Sequence, residues 1–259
     1  MTTPEARQLR LFLFPASAGA HVAGWRHPAA RNNLLDFEAD RNTAAIAEAA
    51  GFDALFFADR LAFPSPNKAG AEASAGSALL EPLTLLAALS VVTSHIGLIA
   101  TASTSYHQPY HLARSFASLD HLSKGRAGWN MVTSLTDAEA GNFGREAHFE
   151  HGARYKRAEE FVDVAQALWD SVGDDLLLHD KENSRYFDRQ KVHAVDHRGE
   201  HFSVKGPLNV PRSPQGHPLL VQAGSSEEGL RFAARVAEIV FTTQTELKDA
   251  QAFYQDLKA

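Results

Sequence analysis

The stretch Ile96–Thr133, IGLIATASTSYHQPYHLARSFASLDHLSKGRAGWNMVT, decides the fold. It begins with the apolar run Ile96–Thr101 and ends with the apolar run Ala127–Thr133. Between them lies a helix-like segment, Tyr110–Ser123, which Gly125 stops. Continuous apolar runs are typical of parallel strands that are buried on both faces, so the stretch predicts a β-α-β unit.

The same alternation extends in both directions along the chain. Further apolar runs that predict strands lie at Leu9–Phe14, Ala54–Ala58, Leu219–Ala223 and Glu238–Thr243. Helices are predicted over Asp36–Ala50, Pro82–Ser94, Gly152–Ser171, Glu227–Ala237 and Asp249–Lys258. Six strands alternating with helices predict an α/β fold, either a TIM (β/α)8-barrel or an open doubly wound sheet. A closed barrel of this type needs eight strands, so the six found here do not complete one.

A long insertion, residues 134–216, separates the fourth predicted strand from the fifth. Apart from its one strong helix it is polar, and His197–Glu200 has the composition of a hairpin turn. No composition shift marks a second domain. We therefore expect residues 1–259 to form a single domain that contains the insertion.

Composition and charge exclude several classes of protein. The 259 residues include 25 Lys+Arg and 31 Asp+Glu, for a net charge of −6, which disfavours binding to nucleic acid. The absence of Cys excludes disulfides and thiolate metal sites. The apolar runs are shorter than the roughly 20 residues of a membrane span, and we interpret the N-terminal segment as a first strand rather than a signal peptide. The expected location is the cytoplasm.

Polar residues at the ends of the predicted strands are the first candidates for function. In a TIM barrel the active site lies at the carboxyl ends of the strands. Asp59, Thr101, Asn130, Gln222 and Ser225 occupy such positions. The alternative for each is a structural role as a helix cap. A role as a helix cap explains Asn130 and Gln222 less well, because a buried amide within a strand needs hydrogen-bond partners of its own.

The long helix of the insertion carries one stripe of residues at steps of three and four: His151, Tyr155, Ala158, Val162, Ala165 and Trp169. The apolar part of the stripe is expected to pack on the sheet. His151 and Tyr155 replace apolar residues in the first turn, at the functional end, where they would point over the site. The alternative makes Tyr155 an amphipathic core residue and His151 a surface residue.

The segment Gly224–Gly229 opens a helix and allows two interpretations. Ser225 and Glu228 fit a capping box, whereas the free amides of a helix N-terminus after a glycine also suit an anion. Neither a Walker A loop nor a GxGxxG motif is present. The histidine pairs lack the HExxH pattern, and no metal site is expected.

Several segments together resemble the bacterial-luciferase-like flavin monooxygenases. They are Leu119–Ser134 (LDHLSKGRAGWNMVTS), Glu139–Gly144 (EAGNFG), His151–Ser171, Gly206–Gly229 and Ala237–Phe241. More narrowly, the chain resembles the branch of nitrilotriacetate monooxygenase component A, EDTA monooxygenase, dibenzothiophene-sulfone monooxygenase and pristinamycin synthase. The resemblance covers essentially the whole chain and implies a luciferase-like TIM barrel with an insertion after the fourth strand.

The resemblance also implies a cofactor and a reaction. The cofactor is FMN, delivered as FMNH2 by a separate NAD(P)H:flavin oxidoreductase. O2 adds at C4a of the reduced flavin to give a (hydro)peroxide, which oxidises a small organic substrate. Carried over by motif, the flavin contacts are Asp59, Thr101, His151, Tyr155 and Ser225, with Asn130 and Gln222 as further contacts. His151 and Tyr155 are the candidates for catalytic proton handling. A homo-oligomer is expected.

The chain departs from the family in its length. Members of this branch are much longer, and the seventh and eighth strands are missing here, so we interpret the chain as a C-terminally truncated barrel. This keeps two other functions open: an FMN-binding remnant without turnover, and an F420-dependent oxidoreductase on the same barrel. Arg31, Arg60 and Arg145 are candidates for contact with a carboxylate substrate, with surface solvation as the alternative.

Overall fold

The structure is a computed structural model that describes residues 9–16, 21, 23–30, 35–63 and 79–258. Six strands form one parallel sheet in the order of the chain. They are β1 (Phe12–Leu13), β2 (Ala54–Phe57), β3 (Gly97–Ser103), β4 (Ala127–Val132), β9 (Leu219–Gln222) and β10 (Ile239–Val240). Two antiparallel hairpins lie in the insertion: β5 (Leu177–Asp180) with β6 (Arg185–Phe187), and β7 (His197–Arg198) with β8 (Ser203–Val204).

Seven α-helices are described. They are α1 (Phe37–Ala49), α2 (Pro82–Ser90), α3 (Pro109–Ser123), α4 (Asp137–Gly141), α5 (His151–Asp170), α6 (Glu227–Val236) and α7 (Leu247–Lys258). Short 3-10 turns occur at Gly24–Arg26 and Arg189–Lys191. Within the described part of the chain, no helix has the length and apolar character that crossing a bilayer requires.

The predicted incomplete TIM barrel is confirmed, because the six-stranded sheet curls toward closure. Phe14 follows the first strand of the sheet and Phe241 follows the last, yet their ring centroids are only 6.3 Å apart. Both rings also contact Phe56 on β2, at 5.5 Å and 5.7 Å. A flat sheet could not bring the residues beside its two edge strands together, so these three phenylalanines mark the concave inner face.

Side chains alternate between this inner face and an outer face covered by helices. On the inner face, Ala54, Phe56, Ile99 and Val221 form one buried cluster. The outer face holds the main core, in which the strands pack against α2, α3 and α5. The apolar stripe predicted for α5 is confirmed as part of this core: Ala158, Val162, Ala165 and Trp169 are all buried.

The two edge strands are shorter than predicted. Of the predicted Leu9–Phe14, only Phe12–Leu13 pairs with a neighbour, and Leu9 is 87% exposed. Of the predicted Glu238–Thr243, only Ile239–Val240 is paired. An edge strand has one partner instead of two, so apolar character alone overestimates its extent.

Arg126 explains why α2 ends at Ser90 rather than at the predicted Ser94. Its guanidinium donates to the carbonyl oxygens of Ser90, Thr93 and Ile96 at 2.8–3.1 Å and to Oγ1 of Thr93 at 2.9 Å. These bonds satisfy the carbonyl groups that a helix leaves unpaired at its end. They also fix the entry to β3.

The carboxylate of Glu48 also binds the connection between α2 and β3, which lies at the amino end of the sheet. Oε1 of Glu48 accepts hydrogen bonds from the backbone amides of Ser94, His95 and Ile96 at 2.6–2.9 Å. Burial alone would raise the pKa of Glu48, but these three bonds and the charge of Arg126 hold that pKa below its ordinary value. The carboxylate therefore links α1 to the start of β3.

We predict that Glu48→Gln lowers the free energy of unfolding at pH 7 by about 1–2 kcal/mol, because it removes a charged acceptor of three amides. Since the folded-state pKa is lowered, the stabilisation is present above the unfolded pKa and is lost as the pH falls through the folded-state pKa. Urea unfolding curves at neutral and acid pH measure both effects.

The Glu182→Gln variant, at an exposed position in the turn between β5 and β6, is the matched control and should match the wild type at both pH values. A Glu48→Gln variant whose stability follows the wild-type pH dependence would show that the Glu48 carboxylate carries none of this stabilisation.

Candidate functional site

Thr101 and Asn130 meet where β3 and β4 run side by side toward their carboxyl ends. The two residues are register partners, and Nδ2 of Asn130 donates to Oγ1 of Thr101 at 2.9 Å. Both are buried. By strand alternation they share the inner face with Ile99. Oδ1 of Asn130 is buried and has no hydrogen-bond partner among the described residues. A buried amide oxygen of this kind can accept a hydrogen bond from a ligand N–H group.

His151 and Tyr155 extend from the first turn of α5, as predicted. Their ring centroids are 5.1 Å apart, His151 is exposed and Tyr155 is half-buried. The Tyr155 ring packs edge-on against Phe232 of α6 at 5.9 Å. Nδ1 of His151 lies 3.4 Å from Oε2 of Glu228 at the start of α6. The N-termini of α5 and α6 thus lie side by side.

The predicted capping box of Ser225 and Glu228 is wrong. The N-cap of α6 is Ser226, whose Oγ accepts from the amide of Gly229 at 3.1 Å. Glu228 is turned toward His151 instead. Ser226 caps the helix, so Ser225 has no capping role. Ser225 is exposed, and its hydroxyl has no hydrogen-bond partner among the described residues. Ser225 remains available to a ligand at this N-terminus.

Gln222 lies on the opposite face of the sheet from Asn130. In the register of β4 with β9, Asn130 is the partner of Val221, and Gln222 shares the outer face with Leu220. Its Oε1 accepts from the amide of Gly224 at 2.9 Å. The buried amide of Gln222 therefore shapes the turn between β9 and α6.

Two glycines allow this turn to approach Tyr155. A Cβ at Gly224 would lie 3.0 Å from Oη of Tyr155, and a Cβ at Gly229 would lie 2.9 Å from the same atom. Such distances are closer than side chains normally pack. The phenol oxygen of Tyr155 is thereby held against the backbone at the start of α6.

Asp59 follows β2 at the same end of the sheet and borders a recess. The recess has a volume of about 350 Å³ and is lined by Asp59, Arg60, Leu61, Ala62, Phe63, Leu79, Glu81 and Asn142. Burial raises the pKa of Asp59, the hydrogen bond from the Arg60 amide opposes the rise, and the charges of Glu81 and Glu139 add to it. A carboxyl group that the fold disfavours in its charged form is characteristic of a functional position.

A short helix after β4 positions the loop that follows Asp59. Nδ2 of Asn142 donates to the carbonyl of Leu61 at 2.8 Å, and Oε1 of Glu139 accepts from the Leu61 amide at 3.4 Å. The other oxygen of Glu139 completes the capping box of α4 with Thr136. The EAGNFG segment thus has a structural function that its motif alone did not indicate.

The structure places Thr101, Asn130, Asp59, His151, Tyr155 and Ser225 at the carboxyl end of the sheet. It also brings there a pair that sequence reasoning missed, in which the hydroxyl of Tyr106 is hydrogen-bonded to Nδ1 of His148. Nothing local signals this pair, since 42 positions separate the two residues. Arg31 lies outside the described residues. Within the described ranges, no three His, Asp or Glu side chains are grouped to hold a metal ion.

Comparison with known proteins identifies extensive similarity. The family model for luciferase-like monooxygenases matches residues 14–259. The chain is 51% identical to nitrilotriacetate monooxygenase component A of Aminobacter aminovorans, over 97% of this chain and 57% of that protein. It is 49% identical to N-acetyl-S-(2-succino)cysteine monooxygenase of Bacillus subtilis (strain 168), over 99% of this chain and 57% of that protein. The chain therefore spans a little over half the length of these relatives.

Solved structures show the same fold. The crystal structure of the long-chain alkane monooxygenase LadA superposes with a TM-score of 0.92 at 36% identity, covering 98% of this chain and 60% of that one. The structure of the riboflavin lyase RcaE, solved with modified FMN and riboflavin, superposes with a TM-score of 0.88 at 37% identity, covering 97% and 58%.

We predict that Gly229→Ala destabilises the protein by about 1–2 kcal/mol, because the added methyl group would collide with Oη of Tyr155. In a Tyr155→Phe background the same change should cost less, because the closest contact is gone, while Oγ of Ser226 at 3.1 Å and the carbonyl carbon of Gly224 at 3.3 Å still crowd the new Cβ. Urea unfolding of the two single variants and the double variant measures the coupling. Equal costs of Gly229→Ala in both backgrounds would rule out this contact as the reason for the glycine.

We predict that Asp59→Asn stabilises the protein at pH 7. The gain should be at most about 1 kcal/mol, because water screens the partly exposed carboxyl group. Because the folded-state pKa is raised, the contribution of Asp59 to stability is complete below its unfolded pKa and is lost as the pH rises through the folded-state pKa. The difference between variant and wild type should therefore disappear below about pH 3. A stability loss in Asp59→Asn at neutral pH would contradict the assignment.

Proposed function

The chain belongs to the luciferase-like monooxygenase family, and on that premise we propose that it is the FMNH2-dependent oxygenating component of a two-component monooxygenase. Its reaction would use O2 to oxidise a small organic substrate. The observation that carries the proposal is Oδ1 of Asn130, a buried acceptor without a partner among the described residues, in a central strand at the carboxyl end of the sheet. An apolar residue at this position would leave no buried polar atom without a hydrogen bond, so the presence of an amide here indicates a ligand.

The residues at this end suit the two polar parts of FMN. Asn130 and Thr101 offer an acceptor and a hydroxyl to the edge of the isoalloxazine ring, which carries both N–H and C=O groups. Ser225, the Tyr155 hydroxyl and the N-terminus of α6 suit the phosphate, because backbone amides and the helix dipole favour an anion. The placement of Gln222 supports an indirect role, in which it shapes the turn beside the phosphate.

Bound FMNH2 would supply the reducing equivalents that activate O2. The protein must orient the flavin and the substrate and exclude bulk water. Asn130 and Thr101 would fix the flavin ring from the inner face. His151 and Tyr155 stand at the rim, where an imidazole and a phenol can hold or move a proton between the site and solvent. Asp59, whose pKa is raised by burial, would stand at the far side of the same opening.

The relatives support the flavin and the separate reductase. One solved relative was crystallised with modified FMN. Another is named component A of nitrilotriacetate monooxygenase, and a third is named as one of the subunits of pristinamycin IIA synthase, 49% identical over 100% of this chain. Such names describe proteins that work with a second component. We extend this to the present chain as an NAD(P)H:flavin oxidoreductase partner and a homo-oligomeric state.

We predict that the folded chain binds photoreduced FMN under anaerobic conditions and that Asn130→Leu weakens this binding at least about tenfold. Leucine has a similar volume and no polar atoms, so the variant should keep the packing and lose only the hydrogen bond to Oγ1 of Thr101. Anaerobic calorimetric titration measures binding, and unfolding curves confirm the fold. The control is Asn42→Leu on the exposed surface of α1.

Oxygen uptake driven by NADH, FMN and an added flavin reductase then tests turnover. Tight FMNH2 binding with substrate-dependent oxygen consumption is the expected result. Binding without any coupled oxidation would assign the chain the role of a flavin-binding protein. No binding of FMNH2 by the folded wild type, or unchanged binding by Asn130→Leu, would overturn the proposal.

A further inference from the structure

Three arginines cluster beside the candidate flavin site: Arg145, Arg154 and Arg157, called here the arginine cluster. Arg145 precedes α5, and the other two lie in its first two turns. On the helix they occupy a face adjacent to the one that carries His151 and Tyr155. The cluster therefore lies at the carboxyl end of the sheet, one turn away from the residues proposed to contact flavin.

Aromatic rings position two of the guanidinium groups. Cζ of Arg145 lies 3.7 Å from the ring centroid of Phe149, and Cζ of Arg157 lies 5.6 Å from the same centroid. Arg157 also lies 4.2 Å from the ring centroid of Phe202. Two cations thus share one aromatic ring. Stacking on a ring holds a guanidinium by its face and leaves the N–H groups at its edge for a planar acceptor.

The arginine cluster forms no ion pair among the described residues. Within the described part of the chain, none of the nine ion pairs includes Arg145, Arg154 or Arg157. This is unexpected in a chain with 31 acidic and 25 basic residues. The three guanidinium groups thus keep N–H groups that no carboxylate of the described residues engages.

Three carboxylates on the elements around the cluster accept hydrogen bonds from other groups. Glu139 accepts from backbone amides of its own capping box and of Leu61. Oε1 of Glu160 accepts from His197 and from the amide of Phe202, which tie the second hairpin to α5. Oδ1 of Asp137 accepts from the amide of His148. Neutralising the cluster with these groups would break the contacts that organise the loops.

Two buried nitrogen atoms at the cluster also lack partners among the described residues. They are Nε of Arg154 and Nε2 of His148. His148 is bonded through Nδ1 to the hydroxyl of Tyr106, whose ring stacks on Phe143 at 4.8 Å. With Tyr106 donating to Nδ1, the neutral imidazole carries its proton on Nε2, so both unpartnered nitrogens are donors. These two donors remain available to an anion, whereas Nη1 of Arg154 and Nε of Arg157 already donate to the carbonyl oxygens of Ser134 and Ser105, at 3.0 Å and 3.3 Å.

We propose that the arginine cluster binds a carboxylate group of the substrate, with Arg145 and Arg157 as the principal contacts. A guanidinium group binds a carboxylate through two parallel hydrogen bonds. Because two guanidinium groups contact the same ring, that of Phe149, the cluster favours a substrate with more than one carboxylate. The identification of the ligand as substrate rests on the proposed function. The anion site itself does not, because it can be tested without flavin.

The test is calorimetric titration of the flavin-free chain with succinate, and with succinamide as the uncharged analogue. The wild type should bind succinate in the millimolar range and should not bind succinamide. Arg145→Gln should weaken succinate binding about tenfold, and Arg145→Gln combined with Arg157→Gln should abolish it. Arg114→Gln, an exposed arginine of α3, makes the same change of charge and should have no effect.

A parallel anaerobic titration with photoreduced FMN separates this inference from the proposed function. Loss of succinate binding with unchanged FMNH2 binding in Arg145→Gln supports a carboxylate site distinct from the flavin site. Succinate binding by a chain that does not bind FMNH2 leaves the anion site standing and removes the proposed function. Displacement of succinate by FMN, equal weakening by Arg114→Gln, or no succinate binding by the wild type overturns the inference.

Discussion

The pairing of β3 with β4 is the constraint on which the rest of the structure depends. Six consecutive pairs run from Leu98 with Ala127 to Ser103 with Val132. This register sets Thr101 opposite Asn130 on the inner face and sends Trp129 to the outer face. A slip of one residue would turn Trp129 inward and expose the Asn130 amide to the apolar outer core. The amide and the indole are therefore placed by the same set of backbone hydrogen bonds.

The register of β3 with β4 also determines how Trp129 packs against the helices. It is fully buried, its Nε1 donates to the carbonyl of Ala102 at 3.1 Å, and its ring packs against Phe116, Phe161 and Trp169. Two of these partners belong to α5, so the position of the strand fixes the helix. The first turn of α5 then places Tyr155 against the glycines that open α6. A chain of packed contacts thus connects the centre of the sheet with the rim of the site.

The central strands and the candidate site could be predicted from sequence because they follow from local rules. The apolar runs of β2, β3 and β4 were recognisable by composition, and strand-end polarity identified Thr101 and Asn130. The cap of α6 was not predictable, since Ser225 with Glu228 and Ser226 with Gly229 both fit the three-residue spacing. The structure selects Ser226, whose Oγ accepts from the amide of Gly229. The face on which Gln222 lies required the register with β4, which a four-residue strand does not reveal.

The arginine cluster could not be predicted, because the absence of ion pairs to it among the described residues depends on where distant carboxylates are engaged. Arg145 was identified as a candidate by residue type alone. Its contact with Phe149 and the absence of an ion pair among the described residues appear only once the loop before α5 is folded.

Hydrogen–deuterium exchange of the chain with and without photoreduced FMN tests the central claim most directly, that flavin binds at the carboxyl end of the curled sheet. We predict slower exchange of the backbone amides at residues 224–229 and at residues 101–106 and 130–134, with no change at the amino end around Glu48 and Arg126. Protection confined to the amino end, or no protection at saturating FMN, would contradict this claim.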